Sequence, residues 1–204
     1  MTKRCIALVV LLVLTGLVVK AEAEHSKAIP AMPSKQISFH EFFPVVNGSL
    51  AKLNLSIPSD YEKKQVPDDL VMNTFLWGRS IDLKAALADP SQVQFDKAAQ
   101  SIFRIRFTKN VTFDSASEQF VDMNGSIVKG LQTMGISNPQ TSFVSRSGIP
   151  ILLIRGETEK GLVYMAYIHS PDDNLSVLIS LQSSRRNPDL DEKVWKTFSS
   201  SFGE

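Results

Sequence analysis

The stretch Leu162-Val163-Tyr164-Met165-Ala166-Tyr167-Ile168-His169 is apolar in both registers of a two-residue period. Leu162, Tyr164, Ala166 and Ile168 fall on one side of an extended chain, and Val163, Met165 and Tyr167 fall on the other. A strand with one face in water alternates polar and apolar residues, so this one calls for cover on both sides. It is the third of four strand-like runs: Thr141 to Arg146, Ile149 to Glu157, Leu162 to His169 and Asn174 to Gln182. Their separators, Ser147-Gly148, Gly156 through Gly161 and Pro171-Asp172-Asp173, are short turn sequences of the kind that join antiparallel neighbours. The simplest topology is a meander.

Working outward, the pattern before the meander reads as a helix. Ser115 can cap a first turn that Glu118 closes as a capping box, and Phe120, Met123, Ile127, Leu131 and Met134 follow at spacings of three and four. Gly135 stands where a stop is expected, and Gly125 and Gly130 each weaken such a helix by about 1 kcal/mol. After the meander a second helix is expected from Pro188 or Asp189, with Asp189 and Glu192 as its capping pair and Leu190, Val194, Phe198 and Phe202 along one face. Further upstream, Leu53, Leu55 and Ile57 alternate with Lys52, Asn54 and Ser56 in a half-buried strand ended by Pro58-Ser59-Asp60. Leu70 to Trp77 is another strand candidate. In Ser101 to Thr108, Phe103, Ile105 and Phe107 face one way while Arg104 and Arg106 face the other. Gly78 to Gln100 carries a helical turn at Asp82 to Ala88 and a break at Pro90. Segments this long without clear structure are often mobile or functional, and this one is read as a partner's contact surface whose deletion would leave the domain folded. The expected fold class is α+β: an antiparallel sheet of about six to seven strands with helices on both faces, a three-layer α/β/α sandwich.

The strand ending in Leu55-Ser56-Ile57-Pro58, followed by Asp60-Tyr61-Glu62, resembles the start of PsbP-like domains. The Ser115 helix, the meander with Gly148 and Gly161 near its turns, and the terminal Trp195-Lys-Thr-Phe-Ser-Ser-Ser-Phe202 are similar to that family as well. The resemblance covers about Gln36 to Phe202. It implies an antiparallel sheet between helices and a mostly non-catalytic role. The family includes a photosystem extrinsic subunit, a nuclear factor that binds the Ran GTPase, and many exported bacterial proteins. Gly78 to Gln100 has no counterpart in it, and no set of site residues carries over.

At the N-terminus, Lys3 and Arg4 precede an apolar run from Cys5 to Val19, and Ala21 and Ala23 sit two apart. That is the layout of a cleavable secretory signal, with the cut between Ala23 and Glu24. The apolar run is shorter than the roughly 20 residues that span a bilayer, and no cysteine stands at the cut to take a lipid. The chain thus divides into a signal peptide (1–23), a flexible Pro-containing leader (24–36) and one domain (37–204). Cleavage removes three basic residues and one acidic one from 22 and 21, leaving a near-neutral chain with no electrostatic case for nucleic acid or an anionic membrane. It also removes Cys5, the only cysteine, so the mature chain has neither disulfides nor thiolate chemistry. Asn47, Asn54, Asn110, Asn124 and Asn174 are glycosylation acceptors by pattern, with Asn54 and Asn124 placed by chance inside a strand and a helix.

Catalytic motifs are absent. The mature histidines, His25, His40 and His169, form no close pair of the kind zinc sites show, and His40 beside Glu41 lacks a second ligand. Asp172, Asp173 and Asn174, like Asp68 and Asp69, read as turn residues after proline and not as a calcium loop. No serine sits in a Gly-x-Ser-x-Gly elbow, and Gly156 to Gly161 encloses Lys160 without completing a phosphate loop. Arg104 and Arg106, about 7 Å apart on one strand face, are candidates for an anion clamp. The alternative pairs them with helix carboxylates such as Glu118 or Asp122. Arg185 and Arg186 read as an exposed loop. Phe75, Trp77 and Arg79 are the candidate partner-binding anchor, although aromatic side chains also fill cores, and Trp195 reads as core.

These readings converge on an exported, non-catalytic protein without cofactor or metal that binds another envelope or secreted protein in the periplasm or outside the cell. The alternative is an envelope hydrolase or small-ligand carrier gathering His40 or His169 with a carboxylate and a serine between sheet and helix. Mass spectrometry of the exported product should give a chain beginning at Glu24; a mass that retains residues 1–23 would overturn the cleavable signal.

Overall fold

The computed structural model describes residues 32–43, 48–67, 74–159, 161–172, 174–182 and 187–203. Ala21, Ala23 and Glu24 at the expected cut lie outside the described residues, as do His25, Asn47, Asp68, Asp69, Lys160, Asp173, Arg185 and Arg186.

The core element is a seven-stranded antiparallel sheet. Its strands are β3 (Tyr61–Gln65), β4 (Thr74–Arg79), β5 (Ile102–Thr108), β9 (Ser137–Arg146), β10 (Ile149–Thr158), β11 (Gly161–Ser170) and β12 (Leu175–Gln182), in the spatial order β3-β4-β5-β12-β11-β10-β9. The meander expected from the turn sequences is there as β9 to β12. Its last strand then pairs with β5, setting Ile179 opposite Ile105 and Leu181 opposite Phe103. Gly156 lies where the β9–β10 register shifts, and a Cβ there would collide with Ile136, so only glycine lets the two segments approach.

One face is covered by a helix and a ribbon. The C-terminal helix α5 (Pro188–Ser199) buries Val194, Trp195 and Phe198. Trp195 stacks on Tyr164 with ring centres 5.3 Å apart, and Phe198 meets Phe103 at 5.1 Å. The helix starts at Pro188, within the expected bounds, but its cap lies two residues before Asp189: the Asn187 side chain accepts from Leu190 N at 3.1 Å. Beside it run β1 (Ser34–Ser38) and β2 (Asn54–Pro58), paired antiparallel, so Ser34 to Gln36 of the expected leader belong to a paired strand. The short helices α1 (Phe39–Phe42) and α2 (Gly48–Ala51) join them and add Phe39 and Leu50 to the core. Asp172, in the β11–β12 turn, accepts from both the Ser49 amide and hydroxyl and so ties α2 to the sheet.

The opposite face overturns the three-layer sandwich. Where a helix from Ser115 to Met134 was expected there is a small three-stranded sheet, β6 (Thr112–Asp114), β7 (Gln119–Asp122) and β8 (Gly125–Ser126), ending in the single-turn helix α4 (Ile127–Gly130). The main sheet therefore has a helix and ribbon on one side and a mostly β cover on the other. Turn chemistry outweighed the helical spacing. Asp114 accepts from Ala116 N at 3.0 Å and from the Ser117 hydroxyl, and Asp122 accepts from Asn124 N at 2.7 Å. Glu118 at φ 51° and Gly125 at φ 104° are incompatible with a helix. The expected stripe is broken accordingly: Phe120, Ile127 and Leu131 are buried, while Met123 is 91% exposed. Asn124 sits in a turn and not in a helix.

Gly78 to Gln100 is also structured. It contains α3 (Ser80–Ala86) and a 3-10 turn (Phe95–Lys97), and with Val66, Leu76 and Ile102 it forms a separate small core through Leu83, Ala86 and Ala98. Deleting it would expose Leu76 and Ile102, so a folded deletion product is no longer the expectation. Asp82 fixes this segment. Its carboxylate accepts from Arg79 Nε at 2.6 Å, Ala99 N at 2.7 Å and Gln100 N at 3.1 Å. Burial pushes its pKa up, but the Arg79 bond and the two amides outweigh that and hold it below the ordinary aspartate value. A depressed folded-state pKa means a contribution fully present above the ordinary range near 4 and lost as pH falls through the lower value. Asp82→Ala should cost about 2–3 kcal/mol in urea unfolding and flatten the acid limb of the stability–pH curve; an unchanged acid limb would remove Asp82 from this role.

Candidate functional site

On the face carrying the small sheet, two local cores leave a strip of the main sheet between them. One is built around Phe120, Leu152 and Tyr167, the other around Leu76, Leu83 and Ile102. The alternation of β5 sends Phe103 and Ile105 to the opposite face and leaves Arg104 and Arg106 on this strip. Arg104 stands between Leu76 of β4 and Ser180 of β12, and Arg106 between Thr74 and Leu178. Arg104 is half-buried and Arg106 exposed.

Among the described residues neither arginine forms an ion pair. Among the described residues the ion pairs are Arg79–Asp82, Arg155–Glu192 and Lys196–Glu192. The expected helix carboxylates are gone with the helix: Glu118 is exposed in a turn, and Asp122 caps its own turn. Burial, and then the charge of Arg106, hold the Arg104 guanidinium below its ordinary pKa. Two like charges about 7 Å apart thus share one strip, with Asp122 near enough that it and Arg106 both act on the Tyr167 hydroxyl.

The surroundings mix hydroxyls and amides with apolar side chains. The Ser180 hydroxyl accepts from Gln182 Nε2 at 2.8 Å, which leaves its own proton to donate. Arg104 also closes one side of a cleft of about 230 Å³ lined by Thr74, Leu76, Ser91, Gln92, Val93 and Phe95. Among the described residues no acidic side chain lines that cleft, and its Ser91 and Gln92 donate to the Asp89 carboxylate beside it. Paired guanidinium groups with a hydroxyl and amides around them suit a carboxylate or phosphate, which they can hold by charge-assisted and bidentate hydrogen bonds. The cross-strand partners Ser180 and Gln182 escaped sequence reasoning because they join the arginines only through the β5–β12 pairing, which no local pattern announces.

The other candidate residues separate. Trp77 is completely buried in the helix-covered core beside Phe43 and Phe103, Phe75 packs edge-on against Phe43 with ring centres 4.8 Å apart, and Arg79 is bound to Asp82. A surface anchor built on Trp77 is corrected to a core position. His40 lies exposed on α1. His169 is buried with Nδ1 2.9 Å from the Ser176 hydroxyl, yet Ser176 donates to the Val111 carbonyl at 2.6 Å. The serine proton is therefore committed to a backbone oxygen and the histidine acts as donor, the reverse of an activated serine nucleophile. Burial alone lowers the His169 pKa, with no carboxylate contributing. No group of three or more metal-ligating side chains occurs among the described residues.

No known family model matches the chain, and no curated protein is similar to it.

If the strip binds anions, millimolar phosphate at fixed ionic strength should raise the Tm by about 2–4 °C, and should leave the Arg104→Met/Arg106→Met variant unmoved. Equal shifts in both proteins would assign the effect to general salt exclusion and remove the site.

Proposed function

We propose that this chain is an exported, non-catalytic binding protein that recruits another envelope protein through acidic groups seated on the Arg104–Arg106 strip. The observation carrying the reading is the arginine pair itself, two cations on one sheet face beside Ser180 and without an ion pair among the described residues. The signal layout at Lys3 to Ala23 supplies the destination, and a chain without cysteine after the cut is stabilised by its cores alone. The PsbP-like resemblance belongs to the same reading through Leu55 to Pro58 with Asp60-Tyr61-Glu62, and through Trp195 to Phe202. The Ser115 helix no longer supports it. Rim charges of this kind govern encounter and specificity, so capture should weaken as salt is raised.

Affinity capture from native envelope extract, with residues 24–204 as bait, tests the role. The expected result is a protein retained by the wild type, lost with Arg104→Glu/Arg106→Glu, and eluted by a few hundred millimolar salt. Retention of the same protein by both baits would sink the arginine strip as its contact.

A further inference from the structure

The two edges of the main sheet differ. β3 ends it with Glu62, Lys63 and Lys64 in a five-residue strand, the charged and short kind of edge that resists pairing. β9 ends it with ten residues, of which Gln140-Thr141-Ser142-Phe143-Val144-Ser145 hold neither charge nor proline. Among the described residues, β9 pairs only with β10, and no backbone hydrogen bond reaches its outer side. Between Pro139 and Arg146, beyond the register shift at Gly156, this neutral six-residue edge is a template for one more strand.

A groove of about 450 Å³ runs beside this edge. Its floor is Gln140 and Ser142 of β9 with Leu153 and Arg155 of β10, and its wall is Glu192, Trp195, Lys196 and Ser199 of α5. Side chains from a strand added to β9 would alternate, every second one rising on the groove side. The groove is apolar at Leu153 and Trp195 and positive above them. Among the described residues its one acidic lining residue, Glu192, already holds Arg155 at 3.1 Å, Lys196 at 3.6 Å and the Tyr164 hydroxyl. The Lys196 side chain is still 61% exposed, and Arg155 is 43% exposed. Two cations against one satisfied carboxylate leave the groove able to take one more negative group.

The geometry points to β9 as a strand-addition site for an extended segment of a partner protein, with apolar and acidic side chains alternating into the α5 groove. Main-chain pairing supplies the affinity and the groove supplies the selection, as in other strand-addition complexes. This site lies on the opposite face from the arginine strip and stands independently of it.

The probe is the peptide acetyl-Thr-Val-Thr-Glu-Thr-Val-Thr-amide, which places Val, Glu and Val on one side. Titrated into 15N-labelled protein of residues 24–204, it should shift amides of Gln140 to Ser145, Arg155, Trp195 and Lys196. Replacing its central Glu by Lys should weaken binding at least tenfold, and Lys196→Glu in the protein should narrow or reverse that preference. The proposal fails if millimolar peptide leaves β9 unshifted, if both peptides bind alike, or if the shifts map to Arg104 and Arg106. It fails equally if the outer β9 amides of the free protein are already protected from exchange, or broaden with protein concentration, because the edge is then filled by this chain's own segment or by a second copy.

Discussion

A sheet whose central strands are apolar on both faces cannot stand in water, and that requirement organises everything else in this molecule. β10 and β11 carry buried residues in both registers: Ile151 and Leu153 against Leu152 and Ile154, and Tyr164 and Ala166 against Tyr167. At roughly 1.5–3 kcal/mol for each large side chain withdrawn from water, cover on either side contributes more than any polar contact described here. The chain meets the requirement asymmetrically. A twelve-residue helix and a two-stranded ribbon serve one face, and a miniature sheet with two short helices serves the other.

That asymmetry accounts for where the arginines lie. Cover on the second face comes from two separate pieces, one between β5 and β9 and the other between β4 and β5, each with its own apolar cluster. The strip left between them needs no apolar residues, and β5 places its two cations there. A continuous helix across that face would have brought carboxylates over Arg104 and Arg106. The turns at Asp114 and Asp122 instead keep those carboxylates occupied with backbone amides and the Ser117 hydroxyl.

Period-two alternation, interrupted by short turn sequences, made the meander, β5 and β2 legible from residues alone, because each strand's pattern is local. The Asp189-to-Phe202 helix was legible for the same reason, although Asn187 took the cap. The region from Ser115 to Met134 was not. Phe120, Ile127 and Leu131 satisfy a helical stripe and also serve a hairpin followed by one helical turn, and the deciding features are Asx turns and positive φ values at Glu118 and Gly125. Asp82 was equally hidden, since its partners Ala99 and Gln100 lie 17 and 18 residues away. At the arginine strip, spacing gave Arg104 and Arg106 but could not show what stood opposite them, which depended on strand order.

Strand order has one more consequence. β12 sits between β5 and β11, in the interior of the sheet, yet it is the last strand in the chain, paired with β5 at residues 68 to 80 positions earlier. Closing so long a loop is entropically slow, and the many distant pairings give a high contact order. Until Gln182 has emerged, β3 to β5 have no bridge to the meander. Without β12 the β3–β5 and β9–β11 pieces would each present an open edge where the seven-stranded sheet is now continuous, so the final strand is the one that closes the sheet.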